Sequence, residues 1–150
     1  MFLRLLSLTA LALLPCSPAL ATLPHKTVAV AVSKTSIYVG SVTLTTATFK
    51  CDAGTTFAAD YKARVVPYFF SNEQGKIWID FSEEQFAQLA RGERVHFTGR
   101  AQNNDGKERR IEGHATPGAP NCLEGKIKVR VFVSPKIELI FNTTYRLGGS

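Results

Sequence analysis

The amino-acid sequence predicts a mainly β fold: an antiparallel β-barrel or β-sandwich of about eight or nine strands, with one short α-helix near residues 83–91. The first reason is that apolar β-branched residues alternate with polar ones, as they do from Lys126 to Val133. The second is that turns rich in Gly, Asn and Pro separate such segments. A hydrophobic content of 45% in 150 residues suits one folded domain and excludes disorder as the main state.

Nine segments have the alternating or β-branched pattern of strands. They are residues 28–32, 35–39, 42–49, 56–70, 76–81, 93–102, 107–116, 126–133 and 137–146. Because side chains alternate between the two faces of a strand, each segment directs one face into the core. Residues 147–150 follow the last strand and are predicted to form a loose tail.

The first residues have the pattern of an export signal. Arg4 supplies a positive charge, residues 5–14 form an apolar stretch that is too short to span a membrane, and residues 19–21 (Ala-Leu-Ala) fit a signal-peptidase site. We therefore expect a cleaved leader of residues 1–21 and a single domain of residues 22–150 that is periplasmic or extracellular. No later segment approaches the roughly 20 apolar residues of a membrane helix.

Cysteine usage agrees with this compartment. Removal of the leader also removes Cys16 and leaves two cysteines, Cys51 and Cys122. An even number of cysteines in an oxidising compartment predicts a disulfide between them. Neither cysteine has a His or a second Cys at the short spacing that a metal site or a nucleophile requires.

One segment has the pattern of a helix. Ser82 is a typical N-cap residue, Gln85 completes a capping box, and Gly92 is a typical helix stop. Phe86 and Leu89 share one face of this helix. We therefore expect the helix to cover one end or one open side of the sheet.

The turn at residues 103–106 fixes the register of one hairpin. A type I turn that ends in a left-handed glycine places Asn103 opposite Lys107. Phe97 then faces the core opposite Gly113, and the alternate side chains face outward. With the next strand paired alongside, these outward side chains form a basic face. The basic face consists of His96, Arg100, Arg110, Glu112, His114, Lys128 and Arg130.

The basic face is suited to an anionic partner. Arg and Lys side chains bind phosphates and carboxylates, and an exported protein meets them in envelope polymers, lipid head groups and acidic proteins. The simpler interpretation, which the sequence favours, is that the alternating cations only keep the sheet soluble and unpaired. The paired His96 and His114 provide two ligands, which is too few for a metal site, and the neighbouring arginines oppose a cation. No metal is therefore expected.

A second hairpin turn is predicted at residues 72–75. It places Phe69 opposite Ile79 and Phe70 opposite Trp78. The resulting aromatic patch consists of Tyr68, Phe70 and Trp78. Packing beneath the predicted helix is the simplest interpretation of this patch, and a ligand cavity or a partner surface are the alternatives.

No catalytic or cofactor motif is present, so the sequence favours a non-enzymatic binding domain of the cell envelope or extracellular space. Its partner would be a protein or an anionic envelope polymer. The alternative is a carrier with a small apolar ligand in a lumen lined by Phe69, Ile79, Phe97 and Phe141. An enzyme is the least favoured class, and neither a cofactor nor nucleic acid is expected. Asn142 begins an Asn-x-Thr glycosylation pattern.

Overall fold

Ten strands and one helix make up the computed structural model, which describes residues 25–68 and 71–148. The strands are β1 (Thr27–Val30), β2 (Ser33–Ile37), β3 (Gly40–Thr46), β4 (Phe49–Ala53), β5 (Thr56–Val66), β6 (Glu73–Asp80), β7 (Val95–Asn103), β8 (Glu108–Pro117), β9 (Glu124–Ser134) and β10 (Ile137–Gly148). The helix α1 (Glu83–Ala90) connects β6 to β7. The prediction of a mainly β chain with one short helix is confirmed.

The strands close into an antiparallel barrel, which decides between the two predicted architectures. β1 and β2 follow each other as one barrel strand, and so do β3 and β4, so that eight barrel strands surround the core. Each barrel strand pairs with its neighbour along the chain. The ladder from β1 to β10, which begins with Thr27 opposite Gly148, completes the circle.

The first two barrel strands are interrupted, although a continuous strand was predicted over residues 42–49. At the break between β3 and β4, the Ala47 N–H donates to the Asp60 carbonyl at 2.9 Å. At the break between β1 and β2, the Thr143 hydroxyl donates to the Ala31 carbonyl at 3.0 Å. Beyond that point β2 pairs with β3, but it has no ladder to β10 within the described residues. The barrel is therefore closed less tightly along β2.

Helix α1 covers one end of the barrel. The Ser82 hydroxyl accepts a hydrogen bond from the Gln85 N–H at 3.2 Å, and the Gln85 side chain accepts one from the Ser82 N–H at 2.7 Å. This is the capping box that the sequence predicts, and it fixes where the helix begins. Phe86 and Leu89 are buried, and the Phe86 ring packs on Phe81 with centroids 4.6 Å apart.

The β7–β8 hairpin has the predicted register, with Phe97 opposite Gly113. Its turn is held by Asn103, whose Oδ1 accepts a hydrogen bond from the Lys107 N–H at 2.8 Å. Gly106 has φ +83°, a conformation that a residue with a Cβ rarely adopts. Turn chemistry and the apolar pattern therefore favour the same pairing, as the sequence indicates.

The hairpin turn predicted to start at Asn72 is wrong. β6 already begins at Glu73, and Ile79 pairs with Phe57 on β5 instead of its predicted partner. The Asn72 side chain accepts a hydrogen bond from the Val65 N–H at 2.8 Å. Asn72 therefore binds the end of β5 rather than starting a tight turn, and the connection from β5 to β6 is longer than predicted.

The predicted loose tail is wrong for residues 147 and 148. β10 continues to Gly148, and the Leu147 side chain is buried. The Lys26 N–H donates to the Gly148 carbonyl at 3.1 Å, so the strand is held in place by pairing with the beginning of β1. Residues 149–150 and the predicted leader of residues 1–21 lie outside the described residues.

The structure contradicts the predicted disulfide, because Cys51 and Cys122 are both free thiols. Cys51 lies on β4, and its Sγ donates to the Gly54 carbonyl at 3.3 Å. Cys122 lies in the loop between β8 and β9, where its N–H donates to the Ala119 carbonyl at 3.1 Å. Cys51 is held on its strand and Cys122 in its loop, and an even count of cysteines does not bring such separate segments within bonding distance.

Candidate functional site

The barrel encloses an apolar lumen. Each of the eight barrel strands contributes inward side chains to it. Six of these inward side chains are Val30, Leu44, Ile77, Phe97, Ile111 and Phe141. A cavity of about 140 Å³ remains between the side chains. An apolar cavity on the order of 150 Å³ stays dry and binds benzene or xenon, so the lumen has room for a small apolar molecule.

Small inward residues explain why the lumen is not filled. Ala63 on β5 and Ala101 on β7 line the cavity at positions where larger side chains would occupy it. At Gly113 the packing is close and leaves no free volume, because a Cβ at this position would lie 2.5 Å from the Phe97 ring. Phe97 therefore fits closely over a glycine, and free volume collects beside the alanines.

A polar cluster of Tyr61, Glu73 and Arg109 lines the lumen away from α1. The Tyr61 hydroxyl donates to Glu73 Oε1 at 2.6 Å, and Arg109 Nη2 lies 3.3 Å from Glu73 Oε2. Arg109 Nη1 also donates to the Val133 carbonyl at 2.6 Å. The Arg109 and Glu73 side chains are only 13% and 21% exposed. The cluster is therefore a nearly buried ion pair joined by a hydroxyl.

The charges of the polar cluster offset each other. Burial raises the pKa of Tyr61, and the hydrogen bond to Glu73 and its negative charge raise it further, while Arg109 acts in the opposite direction. Tyr61 therefore keeps its proton and remains a hydrogen-bond donor. The Arg109 guanidinium faces the Glu73 carboxylate. Among the described lining residues no charge is left uncompensated, and such a lumen favours an uncharged ligand.

The polar cluster is missing from the sites that the sequence predicts. The inward position of Arg109 could be predicted from the sequence, because the predicted hairpin register already places it opposite Ala101 on the inner face. Tyr61 continues the inward alternation that starts at Phe57 on β5. That of Glu73 could not, since the prediction placed it in a turn.

Three of the four predicted lumen residues line the cavity. They are Ile79, Phe97 and Phe141. The fourth, Phe69, lies outside the described residues. Phe141 and Phe97 are buried on β10 and β7. Aromatic rings from two strands that do not pair with each other therefore line the lumen.

All seven predicted residues of the basic face lie on the outer surface of β7, β8 and β9. His96 pairs with His114 across the hairpin, and Arg100 pairs with Arg110 in the same way. On the other edge of β8, Glu112 pairs with Arg130 and His114 with Lys128. Three neighbouring strands therefore present one continuous surface with more cations than anions.

Some cations of the basic face are already engaged. Arg110 Nη1 lies 3.5 Å from Glu112 Oε1, and the Arg110 guanidinium lies 4.2 Å from the centre of the Phe132 ring. The Arg100 guanidinium lies 4.4 Å from the centre of the Trp78 ring. Both guanidinium groups thus lie over aromatic rings, within the distance of a cation–π pair.

The two histidines of the basic face are in contact, with ring centroids 5.6 Å apart. Partial burial lowers the pKa of His114, and the positive charges of Arg94, His96, Lys128 and Arg130 lower it further. His114 is therefore neutral at neutral pH. The described residues contain no group of three or more His, Cys, Asp or Glu side chains that would hold a metal ion.

The residues of the predicted aromatic patch have different surroundings. Trp78 lies on β6, and the Arg100 guanidinium lies over its ring. Tyr68 lies after the end of β5 and is 39% exposed, whereas Phe70 lies outside the described residues. The predicted packing of α1 on this patch is wrong, because the α1 residue Phe86 packs on the core residue Phe81 instead.

Asn142, the predicted glycosylation acceptor, is exposed on β10, where it pairs with Lys128 of β9. No helix in residues 25–68 and 71–148 has the length and apolar composition of a membrane span. Comparison of the chain with protein families, with curated proteins and with solved structures finds no match.

Proposed function

We propose that this protein is a non-enzymatic carrier that holds a small, uncharged apolar molecule in the lumen of its barrel. The observation that carries the proposal is the apolar cavity of about 140 Å³, which is lined by side chains from all eight barrel strands. A folded protein keeps such a cavity at a cost, since filling it with side chains would increase stability. Ligand binding is the function that offsets this cost.

The chemistry of the lining specifies the ligand class. Aliphatic and aromatic side chains form most of the wall, so the ligand is a hydrocarbon or a largely apolar compound. The size of the cavity limits it to about the volume of a benzene derivative or a short branched chain. At the polar cluster, Tyr61 and Arg109 already bind Glu73. A carboxylate ligand would have to compete with Glu73, whereas a hydroxyl or carbonyl group needs only a single hydrogen bond.

Benzene and indole are suitable probes for the lumen. Binding of either probe is expected to raise the thermal unfolding temperature, because a ligand that binds only the folded state adds about 2.7 kcal/mol of stability at a hundredfold excess over Kd. Ala101→Leu adds three carbon atoms inside the cavity and is expected to weaken binding at least tenfold. Ala63→Leu places the same larger side chain in the cavity from β5, and it is expected to weaken binding in the same way.

Gln102→Leu is the matched control for the lumen. Gln102 follows Ala101 on β7, but its side chain lies on the outer side, where it donates to the Gly106 carbonyl at 3.4 Å. This variant is expected to bind both probes like the unmodified protein. If neither probe binds, or if Gln102→Leu weakens binding as much as Ala101→Leu does, the carrier proposal is wrong. If the probes bind as expected, native mass spectrometry of protein from its own host identifies the natural ligand by mass.

A second candidate function is the binding of an anionic polymer by the basic face. It is favoured by Lys128 and Arg130, which within the described residues have no ion pair and lie beside His114. Substitution of Arg100, Arg110, Lys128 and Arg130 by Ser is expected to abolish retention on anionic envelope material. Unchanged retention would exclude this function. It would not bear on the carrier proposal.

We also propose that the protein is exported. The support is the leader pattern of residues 1–21, which ends in Ala-Leu-Ala. Cleavage after Ala21 predicts a mature chain that starts at Thr22. Intact-mass measurement of protein from a membrane-enclosed or secreted fraction tests this proposal, and a chain that retains Met1 in that fraction would contradict it.

A further inference from the structure

Five of the seven exposed large hydrophobic side chains of the described residues lie at the end of the barrel that α1 does not cover, whereas Val32 lies at the break between β1 and β2 and Leu123 at the α1 end. Four hairpin connections meet at this end, between β2 and β3, β5 and β6, β7 and β8, and β9 and β10. Three of them expose large hydrophobic residues. These residues are Tyr38 and Val39, Val66 and Tyr68, and Ile137. We call these three connections the apolar tips.

The apolar tips are neighbours around the barrel. β10 pairs with the barrel strand formed by β1 and β2, and that strand pairs with the one formed by β3 and β4, which pairs with β5. The tips therefore form one arc. The remaining connection, residues 103–108, carries Asn, Asp, Gly, Lys and Glu and exposes no large hydrophobic residue. At the α1 end, Leu123 is the exposed large hydrophobic residue of the described chain.

The three connections and the strands that lead into them carry positive charge. Residues 33–44, 62–68, 71–72 and 134–141 contain the cations Lys34, Lys62, Arg64 and Lys136 and the single acid Glu138. The fourth connection, by contrast, contains Asp105 and Glu108 against Lys107. Exposed apolar residues and an excess of cations thus occur together on one part of the molecular surface, whereas residues 103–108 expose no large hydrophobic residue and carry one cation against two acids.

We propose that the apolar tips dock this protein on the surface of an anionic lipid bilayer. Tyr38 is fully exposed at a hairpin tip, and tyrosine is typical of the membrane–water interface because its ring is apolar and its hydroxyl is polar. Val39 and Ile137 extend the apolar contact. Lys136 lies in the connection between β9 and β10, and Lys34 lies on β2, the strand that leads to Tyr38. Cations near a membrane surface attract anionic headgroups.

A bilayer explains these features better than a protein partner does. A protein interface buries a continuous central patch with a polar rim, whereas the apolar tips present separate side chains on separate hairpins with cations beside them. A bilayer accepts separate insertions, since its apolar layer and its anionic headgroups are continuous in the membrane plane. The docking does not depend on the proposed carrier function, but it would place the lumen close to a source of apolar molecules.

Co-sedimentation with phosphatidylcholine vesicles, with and without phosphatidylglycerol, tests the proposal. The unmodified protein is expected to bind vesicles that contain phosphatidylglycerol. Tyr38→Ser and Ile137→Ser are each expected to weaken binding about tenfold, because each removes the burial of one large apolar side chain. Lys34→Gln and Lys136→Gln are each expected to weaken binding about fivefold on anionic vesicles only.

Leu123→Ser is the matched control, since Leu123 is 49% exposed and Ile137 54% exposed, but at opposite ends of the barrel. Binding of this variant is expected to match that of the unmodified protein. The docking proposal is overturned if the unmodified protein binds neither vesicle, if Leu123→Ser loses as much binding as Ile137→Ser, or if Tyr38 supports dimer formation in sedimentation velocity instead. Ala101→Leu separates the two proposals, because it removes only probe binding if both are correct.

Discussion

Arg109 on β8 forms an ion pair with Glu73 on β6, with 3.3 Å between Nη2 and Oε2, inside a barrel whose other lining is almost entirely apolar. The same guanidinium donates to the Val133 carbonyl on β9 at 2.6 Å. One side chain therefore joins three barrel strands. Since buried charges are costly without partners, the stability of this region depends on keeping the pair intact.

The first prediction concerns this ion pair. Arg109→Leu leaves the Glu73 carboxylate nearly buried without its cation, so the free energy of unfolding in urea is expected to fall by about 3 kcal/mol. Arg110→Leu is the matched control, because Arg110 pairs with Glu112 while both are exposed, at 66% and 42%. Its cost is expected to be about 0–1 kcal/mol.

The double variant Arg109→Leu with Glu73→Leu gives a second measurement of the same pair. Removal of both charges leaves no unpaired ion, so this variant is expected to be more stable than Arg109→Leu alone. Equal stability of Arg109→Leu and Arg110→Leu would show that the inner pair is solvated, which the structure contradicts.

The second prediction concerns the close packing at Gly113. A Cβ at this position would lie 2.4 Å from the Lys128 carbonyl oxygen and 2.5 Å from the Phe97 ring. Gly113→Ala is therefore expected to lower the free energy of unfolding by about 1–3 kcal/mol, measured as a lower Tm. Gly118→Ala is the control, because its Cβ would lie 3.6 Å from the nearest atom, the Glu124 carbonyl oxygen. If both variants unfold at the same temperature, β8 and β9 are not packed as described.

The third prediction concerns acid. Burial lowers the pKa of His25 from its usual 6.5, and burial together with nearby cations lowers that of His114. The unfolded chain then binds protons more readily than the folded protein, so the free energy of unfolding falls as the pH drops below 6.5 and is unaffected by these groups above it. Urea unfolding at several pH values measures this slope. His114→Gln is expected to flatten it, whereas an unchanged slope would exclude His114 as a contributor.

The fourth prediction concerns the cysteines. Since Cys51 and Cys122 are free and half-buried, N-ethylmaleimide is expected to modify both in native protein without a reducing agent. Peptide mapping by mass spectrometry identifies the modified positions. A peptide containing Cys51 linked to Cys122 would contradict the structure and restore the disulfide that the sequence predicts for an exported chain.

Local patterns explain which elements were predictable. The capping box at Ser82 and Gln85 and the turn after Asn103 involve residues a few positions apart, and their hydrogen bonds form as the sequence predicts. The inward position of Phe97 follows from the turn by alternation alone. These predictions needed no knowledge of how distant strands meet.

The errors arise where a residue type is compatible with two different local structures. Asn72 and Gly75 are typical turn residues, but Asn72 binds the Val65 backbone and Gly75 lies within β6, where a Cβ would meet the Gln102 carbonyl oxygen at 2.0 Å. The glycine here permits close contact between two strands instead of forming a turn. The polar cluster was missed for the same reason, since the position of Glu73 depends on the register between β5 and β6.

The pairing of β1 with β10 has a consequence for how the chain folds. Seven of the eight contacts between barrel strands join neighbours in sequence, whereas this one joins Thr27 to Gly148. Loop-closure entropy opposes such a distant contact, so it is expected to form last. Until β10 has been synthesised, the inner apolar surface faces water beside an unpaired edge. The nascent chain is therefore most prone to aggregation before its final strand emerges from the ribosome.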